Sequence, residues 1–294
     1  MNQTKWNLML LHASPGFTRR RIKALIRANP TLDSLHSFTP QALSTLLKVS
    51  FNEAVQLLSQ LHNPRLLNKL EAFAEKYHCV TWFDQHYPTL LRHIPDPPLV
   101  LYMNGDLTLL DPLFSLSVVG TRTPSREAFA NMENVLAPLI SKRVTLISGM
   151  AAGIDQFAHR LAISYHGKTI AVLGSGFQYI YPKNDIPLYQ CLADQHLVIS
   201  EYVPDQPPRK YQFPERNRII SGLTQATLVV EAKVKSGSLI TVSQALEQGR
   251  EVFAMPGSLQ HPTSEGCHKL IQDGAKLVCT ADDIIESWPV YNRC

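Results

Sequence analysis

LSVVGTRTPSREAFANMENVLAPLISKRVTLISGMAAGID, residues 116–155, holds two short apolar runs that each close on a glycine, with a longer amphipathic segment between them. The runs Leu116–Gly120 and Val144–Gly149 are short, β-branched and bounded by turn residues, the pattern of strands buried on both faces. Arg126–Ile140 predicts a helix joining them. The alternation continues downstream in TIAVLG (169–174), LVISEY (197–202), ATLVVEA (226–232) and EVFAMPG (251–257). The segments between them predict helices at Gly153–His166, Ile186–Asp194, Glu215–Ser221 and Ser238–Gln248. Strands alternating with helices specify an α/β, doubly wound, mostly parallel sheet.

Upstream the pattern differs. Between Trp6 and Tyr77 apolar residues recur three and four apart, as in Ile22, Leu25 and Ile26 or Val55, Leu57, Leu58 and Leu61, with breaks at Pro15-Gly16, Pro30, Pro40 and Pro64. Residues 1–77 are therefore expected to form a small helical domain. Residues 78–112, rich in proline, are expected to be a connector packing on the main domain 113–288, with 289–294 as a tail. Arg19, Arg20, Arg21, Lys23 and Arg27 crowd one helix, where they either touch phosphates in a helix-hairpin-helix-like unit or solvate an exposed face.

The 294 residues are 45% hydrophobic, enough for one substantial core and a smaller one, and the net charge of +4 is too small to make the whole surface a polyanion magnet. Any such site must be local. The cysteines Cys79, Cys191, Cys267, Cys279 and Cys294 are scattered without paired spacing, which suits free thiols in a reducing compartment. No signal-peptide pattern and no membrane-length apolar run occurs, so a cytoplasmic location is expected, with no membrane contact.

In an open parallel sheet, ligands sit beyond the carboxyl ends of the strands. That selects the loops GTRTPS (120–125), SGMAAGID (148–155), GSGFQYIYPKND (174–185), PPRKYQFPERNR (207–218), EAKVKSGSLIT (231–241) and MPGS (255–258). Their glycines let backbone approach a phosphate. The dinucleotide fingerprint fails because Tyr179 follows Gly174 and Gly176 where a third glycine belongs; Gly167-Lys168-Thr169 lacks the first P-loop glycine, with Ala162 in its place. The histidines show no metal-ligand spacing, His159 and His166 on one helix included, and no nucleophile elbow is present, so neither metal, cofactor nor catalytic residue is expected. Asp155, Asp185, Glu201 and Glu231 suit capping and hydrogen bonding. What remains is cationic and aromatic. Arg122 follows a strand and should project over the sheet rim; Arg209 and Lys210 precede a helix beside Tyr211 and Phe213. Cations next to an exposed ring suit a single strand, whose phosphates pair with the charges while unstacked bases lie on the ring. Two readings stay open at each position. Arg122 could instead pair with Glu201 or Glu231, Phe213 could plug the core, and either Arg216 or Arg218 could tie loops together internally.

In order, VVGTRTPS, SGMAAGID, TIAVLGSGFQYIYPKN, LVISEY, FPERNRIISGL, VVEA, SGSLIT and GREVFAMPG resemble the DNA-processing protein A (DprA/Smf) family, over about residues 80–281. The resemblance implies a Rossmann-like domain, preceded by a domain similar to a sterile alpha motif (SAM-like). It implies a non-catalytic protein that binds single-stranded DNA without sequence preference in natural transformation (competence), forms a homodimer, and loads the RecA recombinase during DNA recombination. Carried over by motif, Arg122 and Lys210 would grip phosphates and Phe213 would stack on a base. The same loops add Gly120, Thr121, Gly149, Arg209, Arg216, Asn217, Arg218, Ser236, Gly237 and Ser238 as expected nucleic-acid contacts. Two departures stand out: Ala152 occupies the place of an arginine common in the family, and this sequence stops at Cys294, where many relatives continue into a winged-helix-like domain. The alternative is an enzyme of the nucleoside-monophosphate phosphoribohydrolase type, which shares the layout; its PGGxGT loop is replaced here by SGSLIT and MPGS.

Overall fold

The computed structural model describes residues 2–182 and 185–288; Lys183 and Asn184 of the YPKN run, and the 289–294 tail with Cys294, lie outside the described residues. The chain divides into two compact units, one of residues 1–87 and 98–103, the other of 88–97 and 104–294.

The first unit contains α1 (Gln3–Ala13), α2 (Arg19–Ala28), α3 (Pro40–Leu47), α4 (Phe51–Leu61) and α5 (Pro64–Lys76). Each begins at a side-chain cap: Asn2, Thr18, Thr39, Ser50 and Asn63 accept from a backbone N–H two or three residues on. A cap of this kind is worth about 1 kcal/mol. Pro40 and Pro64 open their helices, where a missing N–H leaves no bond unmade. Leu8, Leu25, Leu43, Leu57 and Leu70 are fully or almost fully buried. Strand β1 (His78–Thr81) then pairs antiparallel with β2 (Val100–Gly105), Cys79 opposite Tyr102. Of the basic residues on α2, Arg21 is an internal tie, donating to the Gly16 carbonyl at 2.8 Å and pairing with Glu53 of α4 at 2.6 Å.

The second unit runs α6 (Thr89–Arg92), β3 (Ser115–Val119), α7 (Arg126–Ser141), β4 (Thr145–Ser148), α8 (Ile154–Ser164), β5 (Thr169–Leu173), α9 (Ile186–Gln195), β6 (Leu197–Ser200), α10 (Gln212–Gly222), β7 (Ala226–Val229), α11 (Ser238–Glu247), β8 (Glu251–Ala254), α12 (Glu265–Gln272), β9 (Lys276–Leu277) and α13 (Ala281–Glu286). Its strands lie in the order β6-β5-β4-β3-β7-β8-β9, every neighbouring pair parallel. This is the Rossmann-like sheet expected from the alternation. The elements α12, β9 and α13 were not anticipated: β9 is two exposed residues with no apolar run, and the flanking helices are only eight and six residues long.

Leu116 and Val118 of β3 pack with Met132, Val135, Leu136 and Leu139 of α7 in one hydrophobic cluster, joined by Leu146, Leu228 and Phe253 from neighbouring strands. Burying each such side chain contributes about 1.5–3 kcal/mol. The intervening Ser117 points to the opposite face. There its hydroxyl meets Thr227 Oγ1 of β7 at 2.7 Å, a polar rung between the two central strands. Gly167 has a packing role, since a Cβ there would stand 2.3 Å from Ile140 of α7. The chain winds outward from β3 to β6, then returns to β7. The direction of winding therefore reverses between β3 and β7, and a crevice opens beyond their carboxyl ends.

Candidate nucleic-acid interface

That crevice is a depression of about 560 Å³. The loop after β3 contributes Gly120, Thr121 and Arg122; the loop between β7 and α11 contributes Lys233, Lys235, Ser236 and Gly237, followed by Ser238. Lys210 lies just before α10, which adds Phe213, Arg216 and Asn217, and Tyr181 reaches in from the segment after β5. Arg122, Lys210, Lys233 and Lys235 are exposed, and none of the four makes a hydrogen bond or ion pair among the described residues. The carboxylates available to Arg122 are engaged elsewhere. Glu201 takes Arg218 Nη2 at 2.6 and 2.7 Å, and Glu231 accepts from the Ser125 N–H at 3.1 Å and from the Ser125 hydroxyl. Four cations without an ion pair among the described residues therefore face one opening, whose one carboxylate, Asp155, is buried in its wall.

Helix α10 begins at Gln212, three residues earlier than the sequence suggested, so Phe213 stands in its first turn, not in the preceding loop. Pro214 is tolerated there because first-turn amides have no partner inside the helix. Phe213, Arg216 and Asn217 are three and four apart and share one face, whereas Arg218 is rotated about 200° from Arg216. The rotation separates the two arginines. Arg218 is buried in its pair with Glu201, with Asp96 3.6 Å from its Nε. It does not line the depression, which corrects its place among the expected contacts. Arg209 is exposed but also stands outside the lining, its N–H donated to Gln212 Oε1.

Arg216 forms a wall. Its Nη1 donates to the Gly149 carbonyl at 2.5 Å and to the Val172 carbonyl, leaving the residue 4% exposed. Burial, aided by nearby Arg122, lowers its pKa to about 10 against the opposing pull of Asp155, so it stays charged at neutral pH. The Asp155 carboxyl is raised by burial, opposed first by Arg216 and then by the amides of Ala151 and Gly149, at 3.3 and 3.2 Å. A Cβ on Gly149 would stand 2.5 Å from the Arg216 guanidinium. Gly149 thus makes room for the protein's own cation, and it lines a small hollow beside Arg122, Tyr181 and Phe213. Gly174 does the same for Phe213, whose ring would lie 2.9 Å from an added Cβ.

Phe213 is half-buried and remains at the mouth, its ring centroid 5.5 Å from that of Tyr181, which is 47% exposed. Across the opening, Ser238 Oγ donates to the Gly120 carbonyl at 2.7 Å and ties the β3 and β7 loops together. Gly237 has an ordinary φ of −60° and nothing within 4 Å of where a Cβ would stand. Neither conformation nor packing requires glycine there, and the bare backbone leads to the amino end of α11, where the helix dipole favours an anion although the Ser238 N–H donates to Ser236 Oγ and those of Leu239 and Ile240 to the Ser236 and Gly237 carbonyls. Three residues of this site escaped the sequence: Lys233, Lys235 and Tyr181. The K-x-K alternation ahead of Ser236-Gly237 was the available signal for the first two. Among the described residues, no group of three His, Cys, Asp or Glu could hold a metal ion, and no helix is long and apolar enough to cross a membrane.

A family model described as DNA recombination-mediator protein A matches residues 78–289. The DNA processing protein DprA of Bacillus subtilis is 40% identical over 269 residues, covering 90% of this chain and 89% of that protein. DprA of Streptococcus pneumoniae is 44% identical over 211 residues, 72% of this chain and 74% of its own length. The X-ray structure of the S. pneumoniae protein superposes with a TM-score of 0.87 at 35% identity, covering 98% of this chain and 99% of that one. A structure of DNA processing protein A from Helicobacter pylori, described for its single-stranded DNA binding mode, gives a TM-score of 0.65 at 28% identity, covering 72% and 95%.

Proposed function

Since the chain belongs to the DNA recombination-mediator protein A (DprA/Smf) family, we propose that it binds single-stranded DNA without sequence preference at the sheet rim and serves DNA uptake and recombination. The observation that carries this reading is the set of unpaired cations Arg122, Lys210, Lys233 and Lys235 around one opening that also presents the rings of Phe213 and Tyr181. Phosphates pair with the cations, and bases freed from a duplex lie against the rings. The buried guanidinium of Arg216 adds a fixed positive charge behind the surface groups. Family membership supports the further steps: transfer of the strand to the RecA recombinase, a homodimeric state, and action in the cytoplasm. Residues 1–77 we read as the accessory SAM-like domain.

The direct test is the double substitution Arg122→Ala/Lys210→Ala, read by fluorescence anisotropy with a labelled oligothymidylate. Each charge-assisted contact is worth about 1.5–3 kcal/mol, so affinity should fall by roughly 100-fold or more, with the thermal transition unchanged because both side chains are exposed. Equal affinity in the variant and the parent chain would end the proposal.

A further inference from the structure

Resting on the reading that single-stranded DNA occupies this rim, we infer that its path continues past the first depression, over Lys233 and Arg126, into a second depression beyond β7 and β8. Lys233 lines both the first depression and a hollow of about 420 Å³ that also includes Arg126 and His261. His261, Ser125 and Glu127 are shared in turn with a further depression of about 470 Å³, lined also by Glu231 and Ser264. Common walls make these spaces one trough along the carboxyl edge of the sheet.

Three observations point to an anionic chain in it. Arg126 and Lys233 are exposed, and neither makes a hydrogen bond or ion pair among the described residues. Arg126 is also the first residue of the 16-residue α7, where the helix dipole disfavours a cation by about 0.3–1 kcal/mol. A positive charge held against its local field, with no ion pair among the described residues, is suited to an external anion. At the far end Ser264 is 2% exposed, and its hydroxyl makes no hydrogen bond among the described residues. A Cβ on Gly257 would stand 2.1 Å from that hydroxyl, so the glycine leaves room for it in the wall of the second depression. The carboxylates along the trough are Glu127, exposed, and Asp155 and Glu231, both buried and engaged, Asp155 by the Gly149 and Ala151 amides and Glu231 by Ser125. The exposed cations Lys233 and Arg126 outnumber the one exposed carboxylate.

A strand too short to leave the first depression should ignore Arg126, and a longer one should not. The experiment uses the full chain with oligothymidylates of increasing length. Arg126→Ala should leave affinity for the shortest binding oligonucleotides unchanged and weaken the longest about tenfold. Its log–log salt slope on long strands should drop by about 0.7, the counterion release of one phosphate contact. Arg126→Lys should restore most of the loss. Identical affinity and slope at every length overturns the inference, as does an equal loss at every length, which would place Arg126 at the first depression or in the fold. Failure of the unsubstituted chain to bind any oligonucleotide overturns the parent reading, a result separable from the other two.

Discussion

Arg216 and Arg218 are two residues apart and share a side-chain type, yet their substitutions should fail differently. Removing Arg218 takes the guanidinium away from the buried Glu201 carboxylate, a loss of about 3–5 kcal/mol. Arg218→Ala should lower the midpoint of urea unfolding accordingly, and Arg218→Met/Glu201→Gln should recover much of it. A near-native midpoint for the single variant would show the pair to be unimportant. Phe213 tests stacking apart from charge. Phe213→Ala should cost about 1–3 kcal/mol of oligonucleotide affinity while the slope of affinity against salt stays at the parent value, because no phosphate contact is lost. A changed slope with unchanged affinity at low salt would contradict a stacking role.

At the scale of elements, the decisive features are where α10 and α11 begin. Starting α10 at Gln212 brings Phe213, Arg216 and Asn217 onto one face toward the rim, with Gly149 and Gly174 hollowed to receive two of them. The amino end of α11 is tied to the β3 loop through Ser238 and Gly120, and Gly237 stands there with open space in front of it. Gly237→Ala should therefore not lower thermal stability and should raise it by up to about 1 kcal/mol, since the backbone is relaxed and nothing is displaced. Oligonucleotide affinity should still fall several-fold if a phosphate approaches that backbone. Loss of stability would assign the glycine to the fold, and unchanged affinity would place the strand elsewhere.

For the whole molecule, the buried imidazole of His159 adds a pH dependence that belongs to the fold and not to the site. Desolvation, helped by His196 and Arg216, lowers its pKa to about 3, with Nδ1 2.7 Å from Thr169 Oγ1. The unfolded chain takes up a proton below about pH 6.5 and the folded chain does not, so this contribution is complete above that pH. It is lost as pH falls toward 3, at about 1.4 kcal/mol per pH unit. Urea titrations near pH 7 and pH 5 should differ by about 2 kcal/mol from this group, and His159→Gln should remove that difference. What the sequence determined by itself was the class of fold and the edge on which to look. Buried strands and amphipathic helices are local patterns, and their alternation leaves a parallel sheet as the stable arrangement. It also marked Arg122, Lys210 and Phe213, because loops after strands can be read from composition. Tertiary structure decided which cations are free and which are walls: Arg216 closes on Gly149, 67 residues away, and Arg218 on Glu201, 17 away across separate elements. Strand order did the rest, placing the β7 loop with Lys233 and Lys235 beside Arg122 of the β3 loop. Charge compensation and burial depend on neighbours that the chain brings together only on folding, which is why local pattern could not separate these arginines or set those lysines beside Arg122.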